Sequence, residues 1–180
     1  MNAKNDCRLY GSYHNFYPNF GWLKSILMNH VGKYILMLED DDDDRLITRN
    51  YFAEHKYNVG LEFLTQSEEV VPYLENCLVE RQQLPSLILL DKNAPASGGM
   101  EVLKYIKSNA SLKLIPVVMI SSSSFPGDVE EAYRLGVNSF ILKPFSTAGT
   151  SKTILAFLDY WFGCVELPSV STLGRSYFAS

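Results

Sequence analysis

Three apolar runs in this chain stop abruptly at polar residues, and that feature restricts the fold more than any other. Tyr34–Leu38 runs into Glu39, Leu87–Leu90 into Asp91, and Ile115–Ile120 into Ser121. Runs this short, continuous rather than alternating, suit strands covered on both faces, as in a parallel sheet between helical layers. Val59–Leu64 and Phe140–Leu142 read as two further strands, the second stopping at Lys143-Pro144. Helical stripes lie between them. Arg45–His55 carries Leu46, Ile47, Tyr51 and Phe52, and Ser67 with Glu68 and Glu69 marks a second helix start, with Pro72 early enough to shift it. Met100, Leu103 and Ile106 mark a third helix, and Asp128–Leu135 is a fourth, closed by Gly136 in a C-cap position. Ile154, Leu155, Phe157, Leu158, Trp161 and Phe162 give the spacing of a fifth. Five strand–helix units with right-handed crossovers predict an α/β fold, a doubly wound five-stranded parallel sheet with five helices.

In such a sheet ligands bind beyond the carboxyl ends of the strands. The residues there are Glu39 and Asp40, Asp91, Ser121 and Lys143. Carboxylates converging at one sheet edge repel one another, and a hard cation such as Mg²⁺ relieves that repulsion. Asp91 can then attack phosphorus and form an aspartyl phosphate. Mg²⁺ offsets charge on the transferring group, Lys143 can pair with one phosphate oxygen, and the Ser121 hydroxyl can donate to another.

Composition narrows the function classes. The chain has 180 residues, 47% hydrophobic and 20% charged, which excludes a wholly disordered polymer. Its net charge of −4 comes from one place: six consecutive acids, Glu39 to Asp44, without which 14 acidic residues face 16 basic ones. No basic excess points to nucleic acid, and no apolar run approaches the roughly 20 residues of a membrane span. Cys7, Cys77 and Cys164 form no CxxC pair, and His14, His30 and His55 have no partner at metal-site spacing. With no signal-peptide pattern in residues 1–32, this predicts a reducing, cytoplasmic setting. Residues 1–32 read as an N-terminal arm open to partial disorder, or as sequence upstream of a start at Met28; only Trp22–Met28 has the periodicity of a short helix. Residues 33–162 form the folded domain and 163–180 a C-terminal tail.

Four motifs in order resemble the receiver domain of two-component response regulators. They are Tyr34-Ile-Leu-Met-Leu-Glu39-Asp40, Leu87-Ile-Leu-Leu-Asp91-Lys-Asn93-Ala-Pro95, Pro116-Val-Val-Met-Ile-Ser121-Ser and Asn138-Ser-Phe140-Ile-Leu-Lys143-Pro144. Ser121 follows Asp91 by 30 residues and Lys143 follows it by 52, as is usual in that family. The resemblance implies a flavodoxin-like, chemotaxis-regulator-like fold with strand order 2-1-3-4-5. It implies that Asp91 accepts phosphate from a phosphohistidine of a sensor histidine kinase, with at most slow self-dephosphorylation. It further implies Mg²⁺ held by Glu39, Asp40, Asp91 and the main-chain carbonyl of Asn93, a switch made by Ser121 and Phe140, and a cis bond before Pro144. Lys92 stands where an apolar residue is more usual.

Blander readings stand beside these. Asp42 and Asp43 read as a solvated charge run preceding a helix whose N-terminus attracts anions. The acidic run lacks the glycine and distal Glu of an EF-hand. The Asp91 loop also resembles that of haloacid-dehalogenase-type phosphatases, but their second Asp is Asn93 here. Gly98-Gly99 reads as a turn, since no P-loop lysine follows. Of Ser121–Ser124 one is the switch hydroxyl and the rest loop and helix-cap residues, and Cys77 reads as core. A constitutive receiver-fold interaction module that is not phosphorylated in use is the alternative function; the complete acidic pair with Asp91 and Lys143 argues against it.

The segment Asp159-Tyr-Trp-Phe-Gly-Cys-Val-Glu-Leu-Pro168 resembles the end of stand-alone receivers associated with bacterial phytochrome kinases. Too few residues follow it for a DNA-binding output domain, so output by protein–protein contact is expected. The broad apolar face of the fifth helix, with Tyr160 and Trp161, predicts a homodimer through that helix and the C-terminal segment. The alternative is that this face packs against the aromatic arm of residues 10–22.

Overall fold

The computed structural model describes residues 32–54, 59–96, 98–144 and 146–168. The N-terminal arm, the short helix expected in it and the end of the tail lie outside them. The element order is β1 (Lys33–Leu38), α1 (Asp42–Glu54), β2 (Val59–Leu64), α2 (Ser67–Val79), β3 (Leu87–Asp91), α3 (Gly98–Ser108), β4 (Val117–Ser121), α4 (Pro126–Arg134), β5 (Ser139–Leu142) and α5 (Thr147–Leu158). All pairings are parallel and the sheet order is β2-β1-β3-β4-β5. The predicted doubly wound fold is therefore correct in order as well as in class.

Strand periodicity divides the core in two. Leu36, Leu38, Ile88, Leu90, Val117 and Met119 face α2, α3 and α4, where Leu74, Leu103 and Ile106 are fully buried. Ile35, Met37, Leu87, Leu89 and Val118 face the other way, against Phe157, Leu158 and Trp161. Fully burying one such aliphatic side chain stabilises by about 1.5–3 kcal/mol. The strands between these layers are held tightly enough to fix the positions of the residues that follow them.

Several boundaries differ from the sequence reading. Helix α1 starts at Asp42, so Asp42 and Asp43 lie in its first turn rather than before it. Asp41 is the capping residue, its Oδ1 accepting from the backbone N–H of Asp43 (2.9 Å) and Asp44 (3.0 Å). Pro72 does not shift α2, which opens at Ser67 because Glu69 accepts from the N–H groups of Thr65 and Gln66, both at 3.1 Å. Strand β4 begins at Val117, after Pro116, which has no N–H for the ladder. No side-chain hydrogen bond caps α4, which has Phe125 at its N-cap, so the serines before it do not take the cap role expected of them. Gly136 does follow α4 with φ +94°, in the left-handed region.

After α5 the helix widens into a π-helical turn, Asp159–Cys164, with Val165 N–H donating to Tyr160 O at 3.0 Å. Trp161 turns inward there, and Leu167 beyond it is also buried in the second core.

Candidate functional site

The site stands at the carboxyl end of the sheet. Backbone bonds between neighbouring strand ends set its floor: Glu39 N–H donates to Leu64 O (3.0 Å), Lys92 N–H to Ile120 O (2.8 Å) and Lys143 N–H to Ser121 O (2.7 Å). Glu39, Asp91, Ser121 and Lys143 therefore arrive within one cluster although they span more than half the sequence.

Lys143 is the centre of that cluster. Its Nζ donates to Asp91 Oδ2 (2.7 Å), Glu39 Oε2 (2.8 Å) and Asp44 Oδ2 (3.0 Å). Burial disfavours the Lys143 ammonium, yet the hydrogen bonds to Asp91 and Glu39 outweigh it and raise the pKa above the usual lysine range. Glu39 is 1% exposed, and burial pushes its carboxyl up despite the opposing bond from Lys143. Arg45 secures the same corner from α1, donating to Glu39 O at 2.7 Å while pairing with Asp42.

Asp91 is shaped by its own turn. Its Oδ1 accepts from Asn93 N–H at 2.8 Å, and the Asn93 amide donates to Ser122 Oγ at 3.2 Å. Gly98-Gly99 is not a simple turn but the opening of α3, pressed onto this loop. A Cβ on Gly99 would stand 2.5 Å from Asp91 O, and Gly98 has φ +72°, so both positions need glycine. Lys92 points the other way and forms an ion pair with Asp128 of α4.

Ser121 and Phe140, the pair expected to act as a switch, are both among the described residues. Ser121 is fully buried, and its Oγ accepts from Ser123 N–H at 3.1 Å. Phe140 is partly buried against the first core. The cis bond expected before Pro144 is absent: no cis peptide occurs among the described residues. The bond is trans, the intrinsically preferred form, and Lys143 reaches all three carboxylates with it.

One carboxylate oxygen each from Glu39, Asp40 and Asp91 lie within 4.8 Å of one another. An all-oxygen, carboxylate-rich set of this kind fits a hard divalent cation. Asp40 is exposed, leaving one side open to water or phosphate oxygens. Asp44 and Arg45 were not singled out by the sequence reading. Their signal was helix phase: Asp44 stands in the first turn of α1, on the face that meets Lys143.

Comparisons with known proteins agree with this geometry. Residues 35–154 match the family model described as the response regulator receiver domain. The response regulator Rcp1 of Synechocystis sp. is 32% identical over 138 residues, covering 76% of this chain and 94% of Rcp1. The probable methanogenesis regulatory protein FilR2 of Methanothrix harundinacea is 31% identical over 134 residues, 74% of this chain and 86% of FilR2. The crystal structure of Mn²⁺-bound Rcp1 superimposes with a TM-score of 0.72 at 32% identity, covering 77% of this chain and all of that one. The phosphorylated cyanobacterial phytochrome response regulator RcpA gives the same TM-score and coverage at 31% identity. With its sheet order, its acidic pocket and the family match over two thirds of its length, the chain belongs to the response regulator receiver domain family.

Proposed function

We propose that this protein is a phosphorylation switch of a two-component system that accepts a phosphoryl group on Asp91 and signals by protein–protein contact. The observation that carries the reading is the Lys143 ammonium bound to both Glu39 and Asp91 at the sheet edge. The donor is a phosphohistidine of a sensor histidine kinase. An Asp91 carboxylate oxygen forms the new P–O bond as the P–N bond to imidazole breaks, and the departing nitrogen keeps its electron pair and takes up a proton. A divalent cation, Mg²⁺ in this reading, supplies charge neutralisation when held by Glu39, Asp40, Asp91 and the Asn93 carbonyl. Lys143 pairs with a phosphoryl oxygen. Ser121 gives up its bond from Ser123 and donates to another, and Phe140 follows inward. Self-dephosphorylation is slow at most.

The likeness to RcpA and the aromatic end of α5 support a phytochrome-type kinase as the partner. The aromatic end of α5 also supports a homodimer through α5 and the C-terminal segment. Trp161 is buried, so of the two aromatic residues expected at that interface only Tyr160 is exposed, at 56%. Among the described residues no helix is long and apolar enough to cross a membrane. Three cysteines without paired spacing fit a reducing, cytoplasmic setting.

The direct test is labelling with acetyl phosphate and Mg²⁺ followed by mass-spectrometric mapping. The adduct is expected on Asp91 and absent in excess chelator. A stable adduct elsewhere overturns the assignment. Sedimentation with and without beryllofluoride tests the dimer, which fails if the chain stays monomeric in both at high concentration.

A further inference from the structure

We infer that Asp44 is a positioning residue for Lys143: it holds the ammonium when a metal ion draws Glu39 and Asp91 away. The inference rests on the phosphoacceptor reading above and extends it to a residue outside the acidic pair.

An ammonium has three N–H donors. In Lys143 all three are taken, by Asp91, Glu39 and Asp44. Of these acceptors Glu39 and Asp91 also belong to the converging carboxylate set with Asp40, whereas Asp44 does not. Two of Lys143's partners are thus shared with a cation, and repulsion between a divalent ion and an ammonium works against both cations using the same oxygens. Asp44 is the partner that stays available. It is fixed in the first turn of α1, where its own N–H donates to Asp41 Oδ1, so its carboxylate is supplied by a capped helix end rather than a loose loop. Arg45, the next residue, ties the same turn to Glu39 O.

Two consequences follow. Without Asp44, Lys143 has only the metal ligands to bind and competes harder for them, so metal affinity falls. With metal bound, Lys143 in an Asp44 variant loses its remaining anchor and is less well placed for a phosphoryl oxygen. Both effects run through Lys143, which separates them from a simple loss of negative potential.

The test is a double-mutant cycle read by calorimetric titration of the full chain with Mn²⁺ alone. Asp44→Asn in the wild-type background is expected to weaken Mn²⁺ binding by about fivefold, the upper range for a part-exposed ion pair. In the Lys143→Met background the same substitution is expected to change it by less than about twofold. Asp44→Glu is expected to restore most of the wild-type affinity. Circular dichroism and urea unfolding on each variant establish that the fold is retained. Equal weakening in both backgrounds, or no weakening in the wild type, overturns the inference while leaving the phosphoacceptor reading standing. Failure of the wild-type protein to bind Mn²⁺ or Mg²⁺ overturns both.

Discussion

The two ends of the sheet are built from the same five strands and solve opposite problems. At the amino end the side-chain network around Tyr34 joins neutral groups. Tyr34 donates to Gln83 O at 3.0 Å, Tyr73 donates to Tyr34 at 3.4 Å, and Gln83 donates to Gly32 O at 2.8 Å. Lys107, a part-buried cation there, is held by neutral acceptors, Ile115 O at 2.9 Å and Asn138 Oδ1 at 3.0 Å. At the carboxyl end one ammonium faces three carboxylates, with Asp40 close by. Among the described residues no buried side-chain polar atom lacks a partner. Satisfaction at the amino end needs nothing from outside, whereas the carboxyl end keeps an excess of negative charge. That excess suits a divalent cation.

The sharpest way to break this contrast is Asp91→Asn. Labelling by acetyl phosphate should be lost altogether, as the nucleophilic carboxylate is gone. Stability should not fall, because Lys143 keeps Glu39 and Asp44 and the repulsion among the carboxylates is reduced. Urea unfolding of the metal-free protein should show no loss, or a gain of up to about 1 kcal/mol. A loss of several kcal/mol would mean that Asp91 is structural in the way the amino-end residues are.

Lys143→Met is expected to act in the other direction. It leaves Glu39, Asp44 and Asp91 facing one another with no countercharge, and should destabilise the metal-free protein by as much as about 3 kcal/mol. Millimolar Mg²⁺ should recover part of that loss, which no cation could do for a residue of the amino end. If Mg²⁺ stabilises the variant no more than the wild type, the ammonium and the metal do not share ligands.

The pH dependence of metal binding gives a smaller effect. Burial raises the Glu39 pKa, and a protonated Glu39 is not a ligand. Mn²⁺ affinity should therefore begin to fall at a pH above the ordinary carboxylate range, and drop by about tenfold per pH unit below the Glu39 pKa. The sign for stability is opposite in form. The folded protein holds a proton on Glu39 that the unfolded chain has released, so the metal-free fold loses stability as pH rises from the unfolded value through the folded one. Affinity that stays flat down to the ordinary carboxylate range would remove Glu39 from the ligand set.

The carboxyl end was legible in the sequence because each of its residues closes an apolar run. Glu39, Asp91, Ser121 and Lys143 are marked locally, and the topology of a parallel sheet does the rest. What was not legible depends on helix phase or on distant pairing. In a run of identical aspartates, only a start at Asp42 tells that Asp41 caps the helix and Asp44 turns to Lys143. The π-helical turn shifts the phase again at Asp159, so Trp161 enters the core and Tyr160 is left outside. Nothing at Tyr34 announces a partner 49 residues away, and the amino end went unread.

That unread end supplies the mildest prediction, and it tests the contrast from the other side. Tyr34→Phe removes the hydroxyl that donates to Gln83 O and receives the bond from Tyr73, and leaves the ring in place. One part-buried hydrogen bond of this kind is worth about 1 kcal/mol, and urea unfolding at neutral pH should show a loss of that order. Labelling of Asp91 and Mn²⁺ affinity should be unchanged, since Tyr34 lies near the amino end of β1 and the cluster follows its carboxyl end. The alkaline limb provides a second reading. Burial, reinforced by the bond from Tyr73, pushes the Tyr34 hydroxyl well above the ordinary tyrosine range. Above about pH 10 the unfolded chain gives up that proton and the folded protein does not, so the wild type loses stability as pH rises. Lys143 adds to the same decline, because its raised pKa keeps a proton in the folded state that the unfolded chain releases. Tyr34→Phe should keep the Lys143 part and lose its own, making the decline shallower. If the variant instead declines as steeply as the wild type, the Tyr34 hydroxyl is open to solvent and the amino end is not the sealed, neutral end that the contrast requires.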